Sequence, residues 1–129
     1  MSIPTSALIA DDESHLRVYV RMILQQLGVE TVYEAKSGDE ALELYREHQP
    51  EVVFLDINMP GKSGLEVLPE LLDHDPDAIA IMLTGHASRQ LVETSERHGA
   101  VQYIRKDTPR EQIMELLRGL FEEIFVDEE

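Results

Sequence analysis

The sequence predicts an α/β fold in which five parallel strands alternate with five helices in one doubly wound domain. Two observations lead to this fold class. Short apolar runs of strand length recur along the chain, and the segments between them carry apolar residues at helical spacing. Because consecutive strand–helix–strand units form right-handed crossovers, the strands are expected to be parallel, with helices covering both faces of the sheet.

The run at 52–55 is the clearest of the predicted strands. It is continuously apolar, which is typical of a strand buried on both faces of a sheet. Asn58, Pro60 and Gly61 then predict an irregular loop. The other strands are predicted from similar apolar runs at residues 5–10, 31–35, 78–83 and 100–104.

Capping residues mark the first three predicted helices. The first helix is expected to end at Gly28, because glycine readily adopts the left-handed conformation of a C-terminal cap. Ser37 with Glu40, and Ser63 with Glu66, have the spacing of capping boxes. The sequence therefore predicts that the second and third helices begin at these two serines.

The last two predicted helices differ in apolar content. The helix at 88–98 is weak, because Leu91 and Val92 are its only large apolar residues. The last helix has a strong apolar stripe and is predicted to begin with Thr108 as N-cap and Pro109 in the first turn. A second stripe on that helix indicates either a homodimer contact or packing within the chain, and consists of Met114, Phe121 and Phe125.

Composition limits the classes of function. The chain has 129 residues, 26 acidic against 11 basic, a net charge of −15 and no cysteine. An excess of negative charge is repelled by nucleic acid phosphates and by anionic membranes, so we expect direct binding to neither. The absence of cysteine excludes disulfides and thiolate metal sites. Since no apolar run is long enough to span a membrane, a cytoplasmic protein is expected.

Residues that can carry chemistry stand where the predicted strands end: Asp11 and Asp12 after the first strand, then Asp56, Thr84 and Lys106 after the third, fourth and fifth. Because the carboxyl ends of parallel strands share one edge, these side chains can converge. Clustered carboxylates repel one another, and a divalent cation with oxygen ligands, Mg²⁺ above all, relieves that repulsion. A carboxylate beside a cation, a lysine and a hydroxyl can accept a phosphoryl group as nucleophile.

These residues and their order resemble a known family. The motifs are Asp11-Asp12, the stretch 56–66 (Asp-Ile-Asn-Met-Pro-Gly-Lys-Ser-Gly-Leu-Glu), Thr84-Gly85 and Lys106. With them, residues 5–126 resemble the receiver domain of bacterial two-component response regulators, of the single-domain type used in chemotaxis. The resemblance implies a flavodoxin-like strand order 2-1-3-4-5. It also implies one receiver domain over residues 1–129, with an acidic tail at 127–129.

The resemblance implies a metal site and a phosphate acceptor. Asp56 corresponds to the phospho-acceptor. Asp12 corresponds to a direct Mg²⁺ ligand, and Asp11 acts largely through metal-bound water. The backbone carbonyl of Asn58 completes the share of the coordination that the protein supplies. Glu13, next to the acidic pair, is expected in the first helical turn, where its charge suits the helix dipole.

The resemblance also implies a switch. Lys106 would pair with the phosphoryl oxygens, and Thr84 would hydrogen-bond the phosphoryl group and draw its loop inward. Tyr103 matches an aromatic residue whose rotamer is coupled to that movement. His86 and Asn58, at the mouth of the site, could govern the access of a hydrolytic water.

As a member of this family, the chain would take a phosphoryl group from a histidine kinase or a histidine phosphotransfer protein onto Asp56. It would then change the face that it presents to an unknown downstream protein. It would not be an enzyme beyond catalysing its own phosphoryl transfer and dephosphorylation. The alternative is a degenerate receiver, which keeps the fold and acts as a phosphorylation-independent interaction module.

Two positions depart from the family pattern. Asp107 follows Lys106 where proline is usual with a cis bond. Because a cis bond before a residue other than proline costs about 3 kcal/mol, we predict a trans bond and an altered loop. Lys62 stands where an apolar residue is more usual, and this is expected to change a partner-facing loop and not the chemistry.

Overall fold

The computed structural model describes residues 3–85, 93, 94 and 96–125, and within them it confirms the predicted fold class. Five strands form one parallel sheet in the order β2-β1-β3-β4-β5. The elements in chain order are β1 (Ser6–Ala10), α1 (Ser14–Leu27), β2 (Thr31–Ala35), α2 (Gly38–His48), β3 (Val52–Asp56), α3 (Gly64–His74), β4 (Ala80–Thr84), β5 (Gln102–Arg105) and α4 (Arg110–Ile124).

The predicted helix at 88–98 lies largely outside the described residues. Within it, Glu93, Thr94, Glu96 and Arg97 are helical. The predicted tail at 127–129 also lies outside them. No helix in the described ranges is long and apolar enough to cross a membrane.

The two faces of the sheet bury two separate apolar clusters, because successive residues of a strand point to opposite faces. On one face Leu8 of β1 packs with Leu68 of α3. On the other face Ile9 and Phe54 pack with Leu117 of α4. All five side chains are fully buried. The central strands are thus fixed from both sides, which makes their carboxyl ends rigid supports for functional side chains.

The stripe on α4 packs within the chain. Phe121 is fully buried. Met114 and Phe125 are partly buried and pack against the same apolar cluster. The rings of Phe121 and Phe125 meet edge to face, with their centroids 5.9 Å apart. Of the two interpretations of this stripe, packing within the chain is the one that the structure supports, and a homodimer stays a prediction.

The predicted start of the last helix is wrong. The helix begins at Arg110, with Pro109 in the N-cap position and no side-chain cap. The backbone N–H of Thr108 donates to the carbonyl of Arg105 at 3.1 Å, which places Thr108 in the turn after β5. The threonine therefore belongs to the preceding turn and does not cap the helix.

One of the two predicted capping boxes is incomplete. Ser63 and Glu66 each accept a hydrogen bond from the backbone N–H of the other, as predicted. Ser37 accepts from the N–H of Glu40, but the Glu40 carboxylate accepts from the N–H of Lys36 at 3.2 Å. The second helix is thus capped by Ser37 alone, because Glu40 reaches one residue further back.

Candidate functional site

The sheet register brings the predicted site residues to one edge. Ala10 of β1 pairs with Leu55 of β3, so the following residues, Asp11 and Asp56, lie side by side at the carboxyl end of the sheet. Asp56 is itself the last residue of β3, and Thr84 is the last residue of β4. Both strands extend one residue further than predicted, so these two side chains project from strand backbone rather than from a loop.

Three carboxylates converge at this edge. Oxygen atoms of Asp11, Asp12 and Asp56 all lie within 4.8 Å of one another. Asp11 and Asp56 are buried, whereas Asp12 is exposed. The cluster can hold a metal ion, because oxygen ligands from carboxylates suit a hard divalent cation.

Buried carboxylate atoms support this interpretation. Asp11 Oδ2 and Asp56 Oδ2 are buried and make no hydrogen bond. Such atoms are costly unless a charge compensates them, and the ammonium group of Lys106 supplies one positive charge beside both. A divalent cation near the exposed carboxylate of Asp12 would balance the remaining negative charge of the three carboxylates, so the residues present fit the metal that the resemblance implies.

Lys106 reaches the pocket from the loop after β5. Its Nζ lies 2.9 Å from Asp11 Oδ2, 3.1 Å from Asp56 Oδ2 and 3.3 Å from Glu13 Oε1. The first two contacts are ion pairs without hydrogen-bond geometry, and the third is a hydrogen bond. The backbone N–H of Lys106 donates to the carbonyl of Thr84 at 2.8 Å, which fixes the loop.

The departure at Asp107 leaves Lys106 in place. No peptide bond within the described ranges is cis, as predicted for this position. Arg105 and Asp107 form an ion pair of 2.9 Å at the surface of the loop. The substituted loop therefore still delivers the ammonium group to Asp56.

Electrostatics set an unusual protonation state for Asp56. Burial, reinforced by the negative charge of Asp11, raises the pKa of Asp56 to about 7 from an ordinary 3.8. Lys106 and the backbone N–H of Asn58, which donates to Asp56 Oδ1 at 3.1 Å, oppose the rise but do not cancel it. In the metal-free protein Asp56 therefore becomes fully ionised only above about pH 7.

The pKa of Lys106 responds to the same groups. Burial lowers it, but the contacts with Asp11 and Asp56 together outweigh burial, so the net shift is upward. Lys106 therefore remains a cation beside the Asp56 carboxylate, which is the state needed to pair with an anion there.

The expectation for Glu13 is wrong. Helix α1 begins at Ser14, and Glu13 occupies the N-cap position without a side-chain cap. Its carboxylate accepts a hydrogen bond from Lys106, and its N–H donates to Asp11 Oδ1 at 2.9 Å. Glu13 therefore contacts the candidate site through Lys106, a contact that the sequence reasoning missed.

Gly64 is a second residue with a role that was missed. A Cβ at this position would lie 2.3 Å from the carbonyl oxygen of Asp56. Only glycine allows the start of α3 to approach strand β3 this closely. The Gly64 N–H donates to the carbonyl of Ile57 at 3.0 Å, which holds the loop after β3 against the sheet.

The remaining predicted residues occupy the expected elements. Thr84 is buried at the end of β4. Tyr103 of β5 is partly buried and packs against the cluster under α2 and α3. Asn58 lies exposed in the loop after β3. His86 lies outside the described residues.

Lys62 is held within the chain. Its Nζ donates to both carboxylate oxygens of Glu70 at 2.8 and 2.9 Å and lies 3.7 Å from Asp39. The lysine thereby links the loop after β3 to α2 and α3. Its predicted effect on a partner-facing loop stays a prediction.

Comparison with known proteins decides the family. The model of the response regulator receiver domain matches residues 7–118. The chain belongs to this family. It is 34% identical over 110 residues to the chemotaxis protein CheY of Bacillus subtilis, covering 85% of this chain and 92% of that protein. It is 33% identical over 111 residues to protein CcdB of the same organism, covering 86% and 92%.

A solved structure agrees with the receiver fold. The CheX–CheY–BeF3–Mg complex from Borrelia burgdorferi contains a chain that matches with a TM-score of 0.86 at 29% identity. The match covers 92% of this chain and 90% of that one. The family model and these relatives confirm the predicted family, whose members belong to two-component signalling systems.

Proposed function

We propose that this receiver domain is a phospho-acceptor, which takes a phosphoryl group onto Asp56 from a phosphohistidine of a histidine kinase or phosphotransfer protein. One observation carries the proposal. The buried Asp56 carboxylate lies 3.1 Å from an ammonium group and within a cluster of oxygen ligands able to hold a metal. A degenerate receiver, which works without phosphorylation, would need neither the ammonium group beside Asp56 nor the cluster of oxygen ligands.

Each proposed metal ligand follows from the cluster and the family. Asp12, which is exposed, would be the direct Mg²⁺ ligand, and Asp11 would act largely through metal-bound water. Asp56 and the backbone carbonyl of Asn58 would complete the set. When bound, Mg²⁺ supplies positive charge that neutralises the phosphoryl oxygens as they approach the acceptor.

The protein groups that take part in the transfer step are the acceptor carboxylate and the ammonium group beside it. A carboxylate oxygen of Asp56 attacks the phosphorus atom and forms an acyl phosphate. The bond between phosphorus and the imidazole nitrogen of the donor breaks, and its electron pair returns to that nitrogen. Lys106 stays protonated and pairs with a phosphoryl oxygen. Hydrolysis later releases inorganic phosphate and restores the carboxylate, so the domain catalyses no reaction but its own transfer and dephosphorylation.

The phosphorylated form is proposed to change its partner. The new charge on Asp56 attracts Thr84 and Lys106, and Tyr103 changes its rotamer with that movement. The surface around the last helix then presents a different face to a downstream protein. The solved complex contains CheX together with CheY, which is an example of a receiver domain bound to another protein.

The setting of the function is proposed from charge and size. Residues 1–129 act as one receiver domain in the cytoplasm. With a net charge of −15 the domain binds neither nucleic acid nor membranes directly. Its output is exerted through protein contacts, with a homodimer as one form that these contacts can take.

Chemical labelling separates an acceptor from a degenerate receiver. The protein is incubated with acetyl phosphate and Mg²⁺, and its intact mass is measured. We expect the mass of one phosphoryl group to be added, and the addition to disappear with a chelator or in Asp56→Asn. The exposed Asp73, changed to Asn, is the matched control and should label like the parent. Absence of labelling in the parent protein would favour the interaction module.

A further inference from the structure

A closed ring of contacts ties the acidic loop after β1 to the edge strand of the sheet. The N–H of Asp11 donates to the carbonyl of Ala35 at 3.0 Å. The carbonyl of Asp11 accepts a hydrogen bond from Arg17 Nη1 at 2.7 Å. Arg17 Nε in turn donates to Glu34 Oε1, the neighbour of Ala35, at 2.9 Å. Both backbone groups of Asp11 are therefore held by β2, one directly and one through Arg17.

Arg17 is suited to this ring by its shape. Its side chain is 12% exposed and that of Glu34 is 20% exposed, so both are shielded from water at the contact. The two hydrogen bonds leave different nitrogens of one planar guanidinium, which fixes the angle between the two acceptors. A lysine carries the same charge but cannot make two bonds at a set angle.

We propose that Arg17, oriented by Glu34, is a positioning residue for the Asp11-Asp12 loop, and that it sets the affinity of the site for Mg²⁺. The inference rests on the proposed metal site. Arg17 touches neither the acceptor carboxylate nor a side-chain ligand atom; it holds the backbone from which the ligand side chains project. Groups that orient metal ligands typically change affinity by 10- to 100-fold when removed.

The sign of the effect separates positioning from simple electrostatics. Replacing Arg17 removes a positive charge near the acidic cluster, and by Coulomb's law this alone would strengthen the binding of a divalent cation. Loss of positioning would weaken it. Weaker binding by a variant that has lost a positive charge is therefore a result that electrostatics alone does not produce.

Arg21 provides a matched control. It pairs with the other carboxylate oxygen of the same Glu34, from one turn further along α1. Within the described part of the chain it makes no hydrogen bond to Asp11. Arg21→Gln thus removes an equal charge and a contact with the same partner, while the bond to the acidic loop remains.

The experiment is a calorimetric Mg²⁺ titration of the parent, Arg17→Gln, Arg17→Lys and Arg21→Gln at one pH and ionic strength. We expect Arg17→Gln to bind Mg²⁺ about 10-fold more weakly, the low end of the usual range. Arg17→Lys keeps the charge and is therefore the substitution that the fold should tolerate best. It should not restore the affinity for Mg²⁺. Arg21→Gln should equal the parent or bind slightly more tightly.

A metal-free readout accompanies the titration. Amide hydrogen exchange of Asp11, whose N–H is bonded to Ala35, should be faster in both Arg17 variants and unchanged in Arg21→Gln. Parent-like affinity in Arg17→Gln and Arg17→Lys, or equal weakening in Arg21→Gln, would overturn the positioning role. A parent that binds no Mg²⁺ is a different failure, because it overturns the metal site itself and the inference with it.

Discussion

Replacing the Asp56 carboxylate should stabilise the metal-free protein by an amount that grows as the pH rises from about 3.8 to about 7. Asp56 is buried beside Asp11, and its pKa in the folded protein is about 7 against an ordinary 3.8. The folded state therefore favours the neutral carboxyl group. The stability that this preference provides is complete below about pH 3.8 and is lost as the pH rises through about 7. Asp56→Asn keeps the neutral form at every pH.

The magnitude follows from the size of the pKa shift. Each pH unit between 3.8 and about 7 is worth about 1.4 kcal/mol, so the ionised parent gives up about 4 kcal/mol above pH 7. Asp56→Asn should therefore exceed the parent in free energy of unfolding by up to about 4 kcal/mol at about pH 8. The advantage should shrink to about half that value at about pH 5.5.

Urea unfolding followed by far-ultraviolet circular dichroism measures this difference, since the chain has no tryptophan and is rich in helix. The series runs from about pH 5.5 to about pH 8 with a chelator present. Asp73→Asn, which changes an exposed carboxylate outside the site, is the control and should show no such pH dependence. A constant difference between Asp56→Asn and the parent across the series would refute the electrostatic reasoning.

Three further changes test other contacts. Lys106→Met leaves the buried carboxylates of Asp11 and Asp56 without their cation, so we expect a loss of about 3–5 kcal/mol in urea unfolding at about pH 8, partly recovered with Mg²⁺; an unchanged stability would contradict the ion pairs. Gly64→Ala places a Cβ 2.3 Å from the carbonyl oxygen of Asp56 and should lower the free energy of unfolding by about 1–3 kcal/mol. The control Gly119→Ala in α4 meets open space and should raise the free energy of unfolding by about 0.5–1 kcal/mol in the same assay. Mg²⁺ at about 100 times its Kd should raise the free energy of unfolding of the parent by about 2.7 kcal/mol. A thermal midpoint of the parent that does not change with Mg²⁺ would contradict the metal site.

The sheet was predictable from local pattern. Continuously apolar runs at 52–55 and 78–83 are too short for helices and too apolar for exposed strands, so little else fits them. The residues at the ends of these runs, Asp56 and Thr84, could then be placed at one edge without knowing the strand order. The order of the strands in the sheet was predicted from the family resemblance, because crossover connections of similar length are compatible with several strand orders.

The contacts around the site were less predictable, for a physical reason. Glu13 and Arg17 read as charges on a solvated helix, and their partners come from distant segments, the loop after β5 and strand β2. No periodicity within α1 signals either contact. The prediction for Thr108 was wrong for a different reason. The pair Thr108-Pro109 suits both a helix cap and a preceding turn, and the hydrogen bond from Thr108 to the carbonyl of Arg105 places Thr108 in the turn.

Locating the phosphoryl group on the chain is the most direct measurement of the central claim. The protein is labelled with acetyl phosphate and Mg²⁺, treated with borohydride to reduce the acyl phosphate to an alcohol, and digested for mass spectrometry. Reduction confined to position 56, where the carboxylate lies beside Lys106, is the predicted result. Reduction at Asp11 or Asp12 with Asp56 intact would contradict the assignment of the acceptor.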